Sequence, residues 1–190
     1  LEKLGTLRTV FDKGPNATLS AGNSTSLTDG ASAVLLCSEE WAKKHKLPVQ
    51  SYLVTGRSAA VDFVNDEGLL MAPTVAVAEM LQQTGLSLQD FDYYEIHEAF
   101  AAQVLCTLKA WESDDYCKDR LGLKKALGSI DRDKLNVNGS SLALGHPFAA
   151  TGARIIATLS QLLDQKGSGR GLISVCTAGG MGVCAILEKD

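Results

Sequence analysis

A chain of 190 residues, 45% apolar and 21% charged, has the make-up of a soluble protein with one sizeable hydrophobic core. Its formal net charge of −4 supplies no broad cationic field, which argues against nucleic acid as a partner but leaves single Lys and Arg side chains to meet a small ligand's phosphates. No apolar run reaches about 18 residues, and the opening Leu1-Glu-Lys-Leu-Gly-Thr-Leu-Arg8 lacks the long apolar stretch of a secretory signal.

Taken in chain order, residues 12–30 cluster Gly, Pro, Asn, Ser and Thr without periodicity and are expected to form a loop. It leads into a first strand at Ala31–Cys37, where the folded core is expected to begin. A short polar helix over Ser38–His45 is followed by a β-branched second strand from Val49 to Ala60, then a loop from Asp62 to Pro73. Pro73 suits a helix's first turn, and Val75, Val77, Ala78, Met80 and Leu81 give that helix an apolar side until Thr84-Gly85 ends it. Tyr93–Ile96 is a short strand running straight into a helix over Glu98–Trp111, so His97 sits at a junction. Ser113–Leu135 mixes Asp, Lys and Gly and is expected to be a surface excursion with one short helix. Ala149–Leu163 has helical periodicity, Gly171–Val175 is apolar enough for a buried strand, and Gly179-Gly-Met-Gly182 turns the chain into an antiparallel last strand, Val183–Leu187. Strands alternating with helices predict an α/β layered domain: a mixed five-stranded sheet with helices on both faces.

Five cysteines, at 37, 106, 117, 176 and 184, form an odd set with no CxxC pair. That disfavours a disulfide framework and a structural zinc site, and fits reduced thiols in a reducing compartment. Three histidines at 45, 97 and 146 show no metal-binding spacing, so no metal is expected. His97, His146 and Cys176 share one property: each falls at a strand end or a turn beside small residues, where an α/β sheet gathers its ligand contacts. A histidine there can serve as base or oxyanion donor, and a nearby thiol can exchange protons. Taken singly, each has an ordinary explanation: a capping histidine for His97, a small apolar filler for Cys176, a solvated helix charge for Arg154 or Lys166.

Three motifs in order change that balance: His97-Glu-Ala-Phe100, Asn138-Gly-Ser-Ser-Leu-Ala-Leu-Gly-His-Pro147 and Cys176-Thr-Ala-Gly-Gly-Met-Gly182. With Ala21-Gly-Asn-Ser-Thr-Ser-Leu-Thr-Asp-Gly-Ala31 before them, the chain resembles the C-terminal half of a 3-ketoacyl-CoA thiolase. The His-Glu-Ala-Phe form resembles the fatty-acid-oxidation type found as the thiolase subunit of trifunctional complexes. The resemblance implies a C-terminal domain over residues 31–190, with 1–30 leading in from the preceding half. It also implies cleavage of 3-ketoacyl-CoA by CoA into acetyl-CoA and a shortened acyl-CoA through a cysteine thioester, with CoA as co-substrate and no further cofactor.

By that resemblance His146 activates the nucleophile and donates to the enolate oxygen, Cys176 shuttles protons, and His97 donates or holds a water at the same oxyanion. The Ala178 N–H serves the second oxyanion hole, and Ala21, Thr25, Ala99 and Phe100 line the pantetheine arm. Thr25 replaces the usual serine, while Ala149 and Ala178 replace commoner glycines. The acylated cysteine lies in the N-terminal half of thiolases and has no counterpart here before Cys37, so the chain, which also lacks an initiator Met, is expected to be a piece that does not turn over alone. Implied partners are acyl-CoA and CoA, the N-terminal half, a homodimer or homotetramer of the full protein, and a hydratase-dehydrogenase subunit. The implied compartment is cytoplasmic for a bacterium, mitochondrial or peroxisomal for a eukaryote. Competing readings are a biosynthetic acetoacetyl-CoA thiolase, a non-catalytic acyl-CoA-binding or assembly domain, and a ketoacyl synthase, which generally has a histidine or asparagine in place of Cys176.

Overall fold

The computed structural model describes residues 2–190. Its helices are α1 (Glu2–Gly5), α2 (Glu39–Lys44), α3 (Ala72–Thr84), α4 (Ala101–Glu112), α5 (Asp114–Asp119), α6 (Ser141–Leu144) and α7 (Phe148–Lys166). Its strands are β1 (Tyr52–Ala60), β2 (Tyr93–Ile96), β3 (Gly169–Thr177) and β4 (Met181–Lys189), ordered β1-β4-β3-β2 in one sheet. β1 and β3 each run antiparallel to β4, while β2 lies parallel to β3 with Tyr93 opposite Gly171 and Ile96 opposite Ser174.

Strand alternation divides the core in two. Leu172, Cys184 and Ile186 point to one face, where they pack with Val77, Met80 and Leu81 of α3 and Val104, Leu108 and Trp111 of α4. Ile173 and Leu187 point to the other face and meet Ile155, Leu159 and Leu163, one stripe of α7 at four-residue spacing. Both long helices stop on glycines in the left-handed region: Gly85 (φ 72°) donates to Leu81 O, and Gly167 (φ 89°) to Leu163 O and Asp164 O. At Gly182 a Cβ would come within 2.6 Å of Pro73, so the bare glycine lets α3 start against the β3–β4 hairpin.

The layered α/β architecture matches the sequence expectation, but the sheet has four strands, not five. Ala31–Cys37 is the strand that fails: it carries no ladder, and Val34, Leu35 and Leu36 are exposed. The segment has strand-like composition, yet it joins neither of the edges that β1 and β2 leave free. The second strand begins at Tyr52 rather than Val49, and the helix expected from Glu98 starts at Ala101 because Phe100 is still extended. Ser113–Leu135 holds α5, a 3-10 turn at Arg132–Lys134, and a single parallel bridge from Leu135 to Tyr94.

Candidate active site

The site is assembled at the carboxyl ends of β2 and β3, and Asn136 ties it together. Its backbone N–H donates to Tyr94 O (2.8 Å), its Oδ1 accepts from Ile96 N (2.9 Å), and its Nδ2 donates to Ile96 O (2.9 Å) and Glu98 Oε1 (2.8 Å). This side chain continues the ladder where β2 has no further strand beside it. It fixes the 136–147 loop against the His97 junction. Ser140 Oγ adds a donor to Ile96 O at 3.3 Å.

The loop then makes the short helix α6 and turns at Gly145 (φ 84°), where a side chain would strike Thr28 at 2.6 Å. His146 N donates to Ser26 O (2.9 Å), holding the turn from the lead-in side. The result is two imidazoles in contact: the His97 and His146 ring centroids lie 4.3 Å apart, with Phe148 against the far side of His146 at 4.7 Å. His97 is buried, its Nδ1 lies 2.9 Å from Ser141 Oγ, and its N–H donates to Ser174 O of β3. Burial, followed by the neighbouring His146 and Arg154, pushes the His97 pKa down to about 4. His146 is lowered too, first by burial and then by Arg154. Both rings are therefore neutral at pH 7.

Thr151 Oγ1 lies 2.7 Å from His146 Nδ1 and 3.3 Å from Pro147 O, a carbonyl that also accepts from Ala150 N and Thr151 N. The short contact occupies Nδ1, so proton exchange with a ligand falls to Nε2.

Cys176 lies near the end of β3, two residues beyond the Ser174 that pairs with Ile96. Burial pushes its thiol up to about 11, so it is protonated at neutral pH. Ala178 follows in the exposed hairpin turn, whose shape is held by Val61 N donating to Gly180 O at 2.8 Å. On the lead-in side, Thr25 N donates to Ala99 O (2.9 Å), Thr25 Oγ1 to Ser141 O (2.6 Å), and Ser24 bridges Phe100. Phe11 packs edge-on against Phe100 at 5.3 Å. Ala21 lies exposed in the Ser20–Asn23 turn, where Asn23 N donates to Ser20 O.

Four further polar residues escaped the sequence reading: Asn136, Ser141, Thr151 and Arg154. Arg154 is a correction, because it is no solvated helix charge: it is half-buried in α7 and donates from Nη2 to Ser141 Oγ at 3.0 Å. Lys166, by contrast, does lie at the surface, paired with Asp92 at 3.1 Å. Spacing alone offers one signal, since Arg154 falls one turn from Ala150 on the buried stripe of α7. Among the described residues no cluster of three or more His, Cys, Asp or Glu side chains is placed to hold a metal ion.

Solved structures give the class first. A thiolase of Ascaris suum in complex with coenzyme A superposes with a TM-score of 0.80 at 31% identity, over 100% of this chain and 44% of that one. The dimeric peroxisomal thiolase of Saccharomyces cerevisiae gives 0.79 at 36% identity, over 100% of this chain and 42% of that one. Residues 49–189 match the thiolase C-terminal domain and residues 1–40 the thiolase N-terminal domain. The chain belongs to the thiolase family. It is 45% identical over all 190 residues to a 3-ketoacyl-CoA thiolase of Alteromonas mediterranea and spans 43% of that relative's length.

Proposed function

We propose that this chain is the C-terminal part of a 3-ketoacyl-CoA thiolase of fatty-acid oxidation, with residues 31–190 as its C-terminal domain and an acylated cysteine supplied by the N-terminal half. The observation that carries the reading is the contact of His97 and His146 at the strand ends that also present Cys176. The His97-Glu-Ala-Phe100 form supports the oxidative type.

In the reaction, the N-terminal cysteine loses its proton to His146 Nε2 and attacks the C3 carbonyl of the substrate. The C2–C3 bond then breaks, leaving an acyl thioester on the cysteine and an acetyl-CoA enolate whose oxygen is met by the two histidines. The Cys176 thiol, protonated at neutral pH, gives its proton to C2 and releases acetyl-CoA. The resulting thiolate takes the proton of incoming CoA, whose sulfur attacks the acyl carbon. The tetrahedral oxyanion accepts from Ala178 N–H, and its collapse frees the shortened acyl-CoA and the N-terminal cysteine thiolate, which recovers its proton from His146 Nε2. Thr25 is bonded to Ala99 and Ser24 bridges Phe100, which supports a pantetheine arm running along these residues and Ala21. The parent-length protein assembles as a homodimer or homotetramer in a reducing compartment and is of the type that joins a hydratase-dehydrogenase subunit.

The test is thiolysis of acetoacetyl-CoA and longer 3-ketoacyl-CoAs, followed by loss of the ketoacyl absorbance. The parent-length protein is expected to turn over and to accept the longer chains, and the 190-residue chain is expected to be inert. Turnover by the chain alone would remove the absent nucleophile from the mechanism; a parent restricted to acetoacetyl-CoA would replace the oxidative reading with the biosynthetic one.

A further inference from the structure

We propose that Arg154 and Ser141 are positioning residues that hold His97 as its Nε2–H tautomer, so that it presents a neutral N–H donor, not a lone pair, to the substrate oxygen. What His97 donates to rests on the thiolase reading; the tautomer itself rests on three side chains of this chain.

A guanidinium only donates, so the 3.0 Å contact makes Ser141 Oγ the acceptor from Arg154 Nη2. Ser141 is fully buried, and its hydroxyl hydrogen has one acceptor within reach among the described residues, His97 Nδ1 at 2.9 Å. If Nδ1 carried the hydrogen instead, Ser141 would receive two N–H donors and bury its own hydrogen without a partner. With Nδ1 occupied as an acceptor and the buried ring neutral, the single ring hydrogen resides on Nε2.

The charge behind this relay has a buried acidic neighbour. Glu95 of β2 sits on the α7 side of the sheet, 1% exposed, where neither of its oxygens nor Arg154 Nε and Nη1 has a hydrogen-bond partner. Each is within electrostatic reach of the other: Arg154 pulls Glu95 toward ionisation, and Glu95 together with Glu98 opposes the desolvation of Arg154. His97 thereby presents a neutral donor beside the His146 ring, 4.3 Å away between centroids.

Nitrogen NMR of the parent-length protein labelled with 15N-histidine reads the tautomer directly. At neutral pH the His97 Nδ1 is expected at the unprotonated position with the hydrogen coupled to Nε2. Ser141→Ala is expected to mix the two tautomers and lower kcat for thiolysis roughly tenfold while KM stays within about twofold, and Ser141→Thr to restore both readouts. A wild-type His97 hydrogen on Nδ1, or a Ser141→Ala spectrum identical to wild type, overturns the relay. Absence of any thiolysis by the parent-length protein would sink the proposed function, while the tautomer signal still decides the relay.

Discussion

Two flanks of the molecule contrast. At the strand ends, polar side chains are buried and engaged: Asn136, Ser140, Ser141, Thr151 and His97 are each at or below 9% exposure, and each has a hydrogen-bond partner. Between the end of the lead-in and the turn after β1, apolar side chains are exposed instead: Leu27, Leu35, Leu36, Leu53 and Val64 all lie at the surface. At the strand ends these five side chains find partners within the chain, whereas the apolar flank stays exposed.

The largest test of that contrast is His146→Ala in the parent-length protein. The ring is half-buried on a turn and is the base of the proposed reaction, so kcat is expected to fall by roughly a hundred- to ten-thousandfold with the fold intact, as thiolysis assays and circular dichroism would show.

Next comes the pH dependence of stability. His97 is lowered from 6.5 to about 4, so its contribution of about 3 kcal/mol is present above pH 6.5 and is lost as pH falls toward 4. Glu95 is raised from 4.5 to about 7, chiefly by burial, so its contribution, of the same order, is present below 4.5 and lost as pH rises toward 7. Between pH 4.5 and 6.5 the two oppose each other, and the urea midpoint is expected to be nearly flat. Glu95→Gln should expose the His97 slope, with stability rising across that window; His97→Asn should expose the Glu95 slope, with stability falling. A wild-type midpoint that follows either single-group slope would break the pairing.

Asn136→Ala removes three side-chain hydrogen bonds at a buried position and is expected to cost about 2 kcal/mol in urea unfolding. Smallest of all, Leu35→Ser with Leu36→Ser is expected to change stability by less than about 0.5 kcal/mol while reducing self-association in light scattering. A loss of several kcal/mol would show that this flank is packed after all.

The elements legible in the sequence were those with a period or a terminator of their own. The helix over Ala72–Thr84 was announced by Pro73 and Gly85, and α7 by its apolar periodicity. Ala31–Cys37 shows where composition fails, because strand propensity describes a segment's fitness for a sheet and not whether it reaches an edge. At the site, His97, His146 and Cys176 stood out by residue type and by their place at turns and strand ends. Arg154 did not, since an arginine inside an amphipathic helix has the same local pattern whether it faces water or a buried carboxylate.

The sequence by itself determined the family, through three ordered motifs, and with it the layered α/β domain and the chemically capable side chains. Only the tertiary structure decided what those side chains are. Asn136 stitches a loop 40 residues away in sequence to the end of β2, Thr151 occupies Nδ1 of His146, and Ser141 meets His97 across 44 residues. A histidine's tautomer and a thiol's pKa are set by which donors, acceptors and apolar walls surround it, and those neighbours come from elements distant in sequence.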